Sequence, residues 1–255
     1  MPINTTAAIP STNQFLIDAI SFLGTLHDSE PRILINRQRC REDELDDLSF
    51  AVRKKAMSKL SSLCVYCGSG PGSDPAYERA AIDLGKAMAE AGIRLVYGGG
   101  NTGLMGSVAR AVIDHGGKVT GIIPEFLKDR EAMLKDADDM IVVPDMHTRK
   151  QMMFEHSDAF VALPGGVGTL EELVEQLTWS QLGQHTKPIL IADINGFWRP
   201  LLTLFAHMRN FEFIRDGFQV NYLVAEKTTD ILPMLEARLR QFASKAGNAA
   251  ITEKL

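Results

Sequence analysis

The 255-residue chain has little that would suit a membrane, a secretory route or a nucleic acid. It contains no run of about eighteen apolar residues and no charged segment followed by a short apolar one, so neither a membrane span nor a secretory signal is predicted. Its net charge of -5 argues against nucleic acid and membrane surfaces as partners, since both attract a basic protein surface. The expected compartment is the cytoplasm, and the expected partner is a small molecule.

Cysteine is also scarce, with three residues in the whole chain, and an odd number fits a reducing compartment. Cys64 and Cys67 form a C-x-x-C, a spacing that thiol oxidoreductases use at the start of a helix. Here the stretch LCVYCGS is typical of a strand, in which residues three apart point to opposite faces and are poorly placed for a disulfide. Two buried strand residues are therefore the favoured interpretation over a redox pair.

From residue 63 onward, short apolar runs rich in β-branched residues alternate with amphipathic segments of helix length. The predicted strands lie in LCVYCGS, RLVYGG, KVTGIIP, DMIVVPD, AFVALPG, PILIADI and FQVNYLVAE. The predicted helices lie near 75–91, 103–115, 148–157, 170–183, 197–209 and 229–242. This alternation predicts an α/β protein: a doubly wound, mostly parallel sheet of about seven strands with helices on both faces. The predicted organisation is a helical N-terminal extension (1–60), this core domain (61–243) and a loose C-terminal tail (244–255).

Three predicted strands run into glycine-rich turns, in CGSGPGSDPAY, YGGGNTGLMG and LPGGVGTLEE. Glycine lets backbone N–H groups approach a ligand, and the helix that follows presents a positive dipole end, so such turns favour an anion such as phosphate. Glycine also serves tight βα connections that bind nothing. Three such turns at one edge of a sheet favour a ligand.

The nucleotide motifs that these turns suggest are incomplete. Gly98, Gly100 and Gly103 form the G-x-G-x-x-G of dinucleotide-binding proteins. The match is weak, because an acidic residue is expected about 20 positions later at the end of the next strand, and that strand ends late, at Pro124 and Glu125. No G-x-x-x-x-G-K-[ST] occurs, which disfavours a P-loop triphosphatase. The histidines show no metal-ligand spacing, and no metal or organic cofactor is predicted.

Charged residues flank two of the predicted helix starts. Thr169 and Glu172 have the S/T-x-x-E spacing of a capping box, in which the glutamate would only satisfy the helix end. Arg149 and Lys150 begin another helix, where cations are unfavourable against the helix dipole, and an anionic ligand would explain their presence. His147, beside them, is predicted either to line a site or to cap the helix.

DMHTRKQMM together with PGGVGTLEE, preceded by CGSGPGSDPAY and VYGGGNTGLMG, strongly resembles the Lonely Guy family. These are cytokinin riboside 5′-monophosphate phosphoribohydrolases, long labelled lysine decarboxylases. The resemblance covers roughly 61–243 and implies a Rossmann-like fold that cleaves the N-glycosidic bond of a nucleoside 5′-monophosphate, AMP or an N6-substituted adenine nucleotide. The products would be the free base and ribose 5-phosphate. It also implies a homodimer or larger homo-oligomer.

Carried onto this chain, the resemblance assigns catalysis to Arg149 and Glu172. It assigns substrate binding to a larger set around the glycine turns and the Arg-Lys pair: Ser69, Gly99, Gly100, Met146, Lys150, Pro164, Gly165, Gly166, Val167, Gly168, Thr169 and Glu171. No metal site is implied.

The implied chemistry agrees with the residue types. Breaking an N-glycosidic bond builds positive charge on the ribose, which the Glu172 carboxylate would stabilise while it orients a water. The Arg149 cation would stabilise and position the substrate, because its pKa is too high for ready proton donation. A second hypothesis is a nucleotide-binding or carrier protein of the same fold without turnover. The sequence does not decide between AMP and an N6-substituted substrate.

Overall fold

The computed structural model describes residues 59–128, 134, 137–215, 217 and 219–252, and side chains as far as residue 244. The predicted helical extension 1–60 therefore lies outside the described residues, apart from its last two positions.

All seven predicted strands are present in one sheet, in which every neighbouring pair is parallel. The strand order is β4-β3-β2-β1-β5-β6-β7, which confirms the α/β prediction. The strands are β1 (Ser62–Tyr66), β2 (Arg94–Tyr97), β3 (Val119–Pro124), β4 (Asp139–Val143), β5 (Ala159–Ala162), β6 (Ile189–Ala192) and β7 (Leu223–Ala225).

Six helices connect or follow these strands within the described residues. They are α1 (Pro75–Glu90), α2 (Gly103–Asp114), α3 (Met146–Glu155), α4 (Val167–Gln181), α5 (Arg199–Asn210) and α6 (Thr228–Thr252). Two differ from the prediction in a way that matters. Helix α4 begins at Val167 rather than near residue 170, and helix α6 continues past residue 242 into the segment assigned to the C-terminal tail.

The sheet separates two apolar cores because its strand residues alternate between the two faces. Leu63 and Val65 of β1 pack in a core completed by α1, α2 and α6. Cys64 and Tyr66 of the same strand pack in the other core, to which α3, α4 and α5 contribute. Both faces are thus covered, which is why central strands such as β5 and β6 are apolar and buried along their whole length. None of the described helices is long and apolar enough to cross a membrane.

The direction of the chain across the sheet reverses between β1 and β5. Strands β1 to β4 are added outward in one direction, and β5 to β7 are added from β1 in the other. The connections after β1 and β5 therefore leave the sheet toward opposite sides and open a crevice at its carboxyl edge, where ligands of doubly wound proteins bind. The turns CGSGPGSD and LPGGVGT are the two that border this crevice.

Candidate active site

The turns after β1 and β5 are joined directly by backbone hydrogen bonds. The amide of Gly68 donates to the Pro164 carbonyl at 3.1 Å, and the amide of Leu163 donates to the Tyr66 carbonyl at 2.9 Å. These contacts bring the first and fifth strand ends together at the point where the strand order reverses.

Helix α4 starts in this crevice without a side-chain cap. Gly166 occupies the N-cap position, no side chain accepts from the first amides, and the first turn contains no acidic residue. Gly165 is required here, because a Cβ on it would lie 2.2 Å from the Thr169 hydroxyl oxygen. The amides of the first turn, which are the orphan donors of any helix start, are thus left for another acceptor.

The capping-box interpretation of Thr169 and Glu172 is wrong. Thr169 is the third residue of α4 rather than its N-cap, and Glu172 lies one turn into the helix. Both residues are buried, at 5% and 8% exposure of the whole residue. Glu172 therefore does not cap the start of the helix, and its burial requires another explanation.

Helix α3 places a positively charged side chain, Arg149, in the same crevice as the Glu172 carboxylate. Asp145 caps it, its carboxylate accepting from the Thr148 amide at 2.7 Å. His147 was predicted either to cap this helix or to line the site, and it does neither. It is exposed in the first turn of α3 and does not line the cavity described below. Arg149, near the start of the same helix, is only 6% exposed.

The guanidinium of Arg149 faces Glu172 but does not use all of its N–H donors in hydrogen bonds within the described residues. Its Nη2 lies 3.6 Å from Glu172 Oε1, an ion pair that is longer than a hydrogen bond. Its Nη1 lies 3.7 Å from the Met146 sulfur, and its Nε has no hydrogen-bond partner among the described residues. A buried ion pair contributes little to stability, because desolvating both charges offsets their attraction. This pair therefore indicates a functional site.

Gly98, directly after β2, makes room for this arginine. A Cβ on Gly98 would lie 1.9 Å from Arg149 Nη2. The first glycine of the GGGNTG sequence therefore accommodates a protein cation rather than a dinucleotide phosphate. Gly99, by contrast, packs toward Ile123 and Met140 of the neighbouring strands.

These features surround a cavity of about 280 Å³. Nine of the predicted site residues lie on its wall: Ser69, Met146, Arg149, Gly166, Val167, Gly168, Thr169, Glu171 and Glu172. Pro164 and Gly165 line an adjoining cavity of about 330 Å³, which shares Gly68, Ser69 and Gly166 with the first. Gly99, Gly100 and Lys150 line neither cavity. Lys150 instead contacts Glu171 and Glu175.

Several wall residues were absent from the predicted site. They include Cys67, Gly98, Met105 and Met153. The sequence could have identified Met153, since it stands four residues after Arg149 and so lies on the same face of α3. Cys67 is part of the C-x-x-C. Both Cys64 and Cys67 are buried and free, and burial raises the pKa of each thiol, which supports buried residues over a redox pair. Only Cys64 lies in the strand, since β1 ends at Tyr66, directly before Cys67.

Comparison with known proteins places these residues in a family. A family model described as "Possible lysine decarboxylase" matches residues 105–235. Cytokinin riboside 5′-monophosphate phosphoribohydrolase LOG4 of Arabidopsis thaliana is 43% identical over 179 residues, covering 70% of this chain and 83% of the relative. The corresponding LOG protein of Oryza sativa subsp. japonica is 42% identical over 185 residues, covering 72% and 76%. The chain belongs to the Lonely Guy family of phosphoribohydrolases.

Solved structures similar to this Lonely Guy protein share its fold at low sequence identity. The molybdenum cofactor binding protein from Rippkaea orientalis matches with a TM-score of 0.54 and 22% identity, covering 70% of this chain and 97% of that one. A molybdenum cofactor carrier protein from Chlamydomonas reinhardtii matches with a TM-score of 0.54 and 20% identity, covering 72% and 99%. At such identities the likeness confirms the Rossmann-like architecture and carries no information about the ligand.

Proposed function

We propose that the chain hydrolyses the N-glycosidic bond of adenine-type nucleoside 5′-monophosphates, AMP or N6-substituted cytokinin nucleotides, to free base and ribose 5-phosphate. The observation that carries this proposal is the buried Arg149–Glu172 pair on the wall of a cavity that is also lined by the uncapped start of α4. The names of the relatives support the same reaction.

The start of α4 supplies the binding site for the 5′-phosphate. The backbone amides from Val167 to Thr169 belong to the first helical turn, and the Thr169 hydroxyl adds a further donor on the same wall. Orphan amides and the positive end of the helix dipole favour a phosphate here, and no acidic side chain in that turn opposes it.

Glu172 is placed to act on the sugar. It stands one helical turn after the start of α4, and it is buried on the wall of the same cavity. As the base leaves, positive charge grows on the ribose ring, and a buried carboxylate stabilises that charge more strongly than an exposed one, because less water screens it. The same carboxylate orients or deprotonates the attacking water.

Arg149 acts as a fixed cation beside the carboxylate. An arginine stays protonated in proteins, so it stabilises negative charge rather than donating a proton. Its Nε lacks a hydrogen-bond partner among the described residues and its contact with Glu172 is long, which leaves donors for a substrate oxygen or for the departing base. Binding of the substrate would complete the coordination of this side chain.

Other functions fit the cavity less well. A pyridoxal-dependent decarboxylase needs a lysine at the cofactor, and the described cavity wall contains none. A nucleotide carrier without turnover would use the amides of α4, but it gives no reason for a glutamate to be buried beside the arginine. Measured turnover separates the carrier from the hydrolase.

The test is an analysis of the products released from AMP and from N6-isopentenyl-AMP. Wild-type protein is expected to release free base and ribose 5-phosphate. Glu172→Gln should release base at least about 100-fold more slowly than wild type, because the charge is lost while the shape of the side chain is kept. Glu90→Gln, an exposed change on α1, is the matched control and should match wild type. Since Glu172→Gln leaves a buried arginine without its partner, folding is checked by circular dichroism.

Chromatography of both base and inorganic phosphate decides the outcome. Inorganic phosphate without free base would identify a phosphatase and contradict the proposal. Tight AMP binding by calorimetry with no product of either kind would establish the carrier alternative.

Gly98→Ala tests the placement of Arg149. The new methyl group collides with the end of a flexible side chain rather than with backbone, so the fold should survive while the guanidinium is displaced. We expect a loss in kcat/KM of about 100-fold, as for other misplacements of about 1 Å in an active site. In an Arg149→Ala background the same change should add little. A Gly98→Ala protein as active as wild type would show that the position of Arg149 is unimportant.

We further propose that the protein is at least a dimer. Helices α4 and α5 and the residue directly after each of them expose apolar side chains: Val167, Val174, Leu182, Leu204, Met208 and Phe211. An apolar cavity of about 460 Å³ lies between these two helices. Apolar surface that is exposed along adjacent helices is typical of an interface.

Sedimentation velocity at micromolar concentration tests the oligomeric state. The expected mass is at least twice the 28.1 kDa of one chain, and Leu204→Asp should shift it toward the monomer. A wild-type monomer at that concentration would contradict the proposal.

A further inference from the structure

A second set of ion pairs lies beside Arg149 and Glu172 and joins the same two helices. Lys150, the next residue on α3, has its Nζ 2.9 Å from Glu175 Oε2 of α4 and also contacts the carboxylate of Glu171. The Lys150 and Glu175 side chains are 15% and 19% exposed. The two cations of α3 therefore face three carboxylates of α4.

Lys150 does not line the cavity. Glu171 lies on the cavity wall, but neither Lys150 nor Glu175 does. Burial lowers the pKa of the Lys150 ammonium, while its contacts with Glu171 and Glu175 raise it by more, so that the pKa lies above its ordinary value. The ammonium thus stays charged and has two carboxylate partners within the protein, which leaves no uncompensated charge for a substrate phosphate.

Apolar contacts fix the second half of helix α3, where Phe154 stacks on Phe160 of β5 and meets Trp179 of α4 edge-on. Only two of its ten residues, Arg149 and Met153, are buried. Its last turn is held by Lys187, whose ammonium donates to the Phe154 carbonyl at 2.6 Å. Near its start, where Arg149 must meet Glu172, the contacts that join it to α4 are ionic.

We propose that Lys150 is a positioning residue that holds α3 against α4 through Glu175, so that Arg149 and Glu172 stay paired on the cavity wall. This inference rests on the proposed function and reassigns Lys150, which the family resemblance gave to substrate binding. An ion pair that fixes two helices acts on catalysis through geometry, because a displacement of about 1 Å at the reacting groups costs about 100-fold in rate.

The test is a double-mutant cycle of Lys150→Met and Glu175→Gln, since Glu175 touches Lys150 but not the cavity. Turnover of AMP is measured for the wild type, both single variants and the double variant, with folding checked by circular dichroism. Lys150→Met is expected to lower kcat at least about tenfold with KM within about threefold, since geometry affects the transition state most. Glu175→Gln should also lower kcat. In the Lys150→Met background the same change should cause no further loss in kcat. Lys86→Met, which breaks an exposed ion pair on α1, is the control and should leave kcat unchanged.

Direct binding of the phosphate by Lys150 predicts the opposite pattern. Lys150→Met would then raise KM by about tenfold or more, and Glu175→Gln would leave KM unchanged or lower it, with independent effects in the double variant. That pattern overturns the proposal, as does a Lys150→Met protein with wild-type kcat and KM.

If the wild type releases no base, the proposed function fails, and calorimetry of AMP with the same four proteins still decides the role of Lys150. Affinity kept in Lys150→Met supports positioning, whereas affinity lost there and unchanged in Glu175→Gln overturns it.

Discussion

The contact on which the account of this protein depends is the buried ion pair between Arg149 and Glu172. The side chains are 7% and 10% exposed, and their nearest atoms are 3.6 Å apart, so each has lost most of its water without gaining a short hydrogen bond to the other. Such a pair is expensive to bury, and apolar residues of similar volume would often be at least as stable. The proposed catalytic role accounts for the two charges, since each would stabilise charge that develops only while the substrate reacts.

The surrounding structure serves to place that pair. The reversal of strand order between β1 and β5 opens the crevice, the start of α4 at Val167 turns its free amides into it, and the missing Cβ of Gly98 leaves space for the guanidinium. The glycines thus fulfil two different needs. Those at the start of α4 expose backbone to a ligand, whereas Gly98 gives space to a protein side chain.

The fold could be predicted because its signal is local and repeated. Each strand is a short apolar run between turn residues, and the alternation with amphipathic segments leaves few other arrangements. The start of α4 was less predictable, because Val167 and Gly168 have low helix propensity and the T-x-x-E spacing of Thr169 and Glu172 imitates a cap. The packing of the preceding turn against β1 overrides both signals.

The role of individual site residues was the part that sequence reasoning could not resolve. Arg149 and Lys150 are adjacent and alike in charge, yet successive residues of a helix point about 100° apart, and only the packing of α3 decides which one faces the cavity. The function of Gly98 was hidden for a similar reason, since it depends on a side chain some fifty positions away in the chain. Signature motifs identify the elements of a site, and tertiary contacts distribute the roles within it.

A crystal structure of the Glu172→Gln protein with AMP tests the central claim most directly. We expect the phosphate on the amides of the first turn of α4, the ribose C1′ facing residue 172, and the Arg149 guanidinium in contact with the nucleotide. A nucleotide bound in that cavity with its phosphate away from α4, or bound elsewhere on the protein, would contradict it.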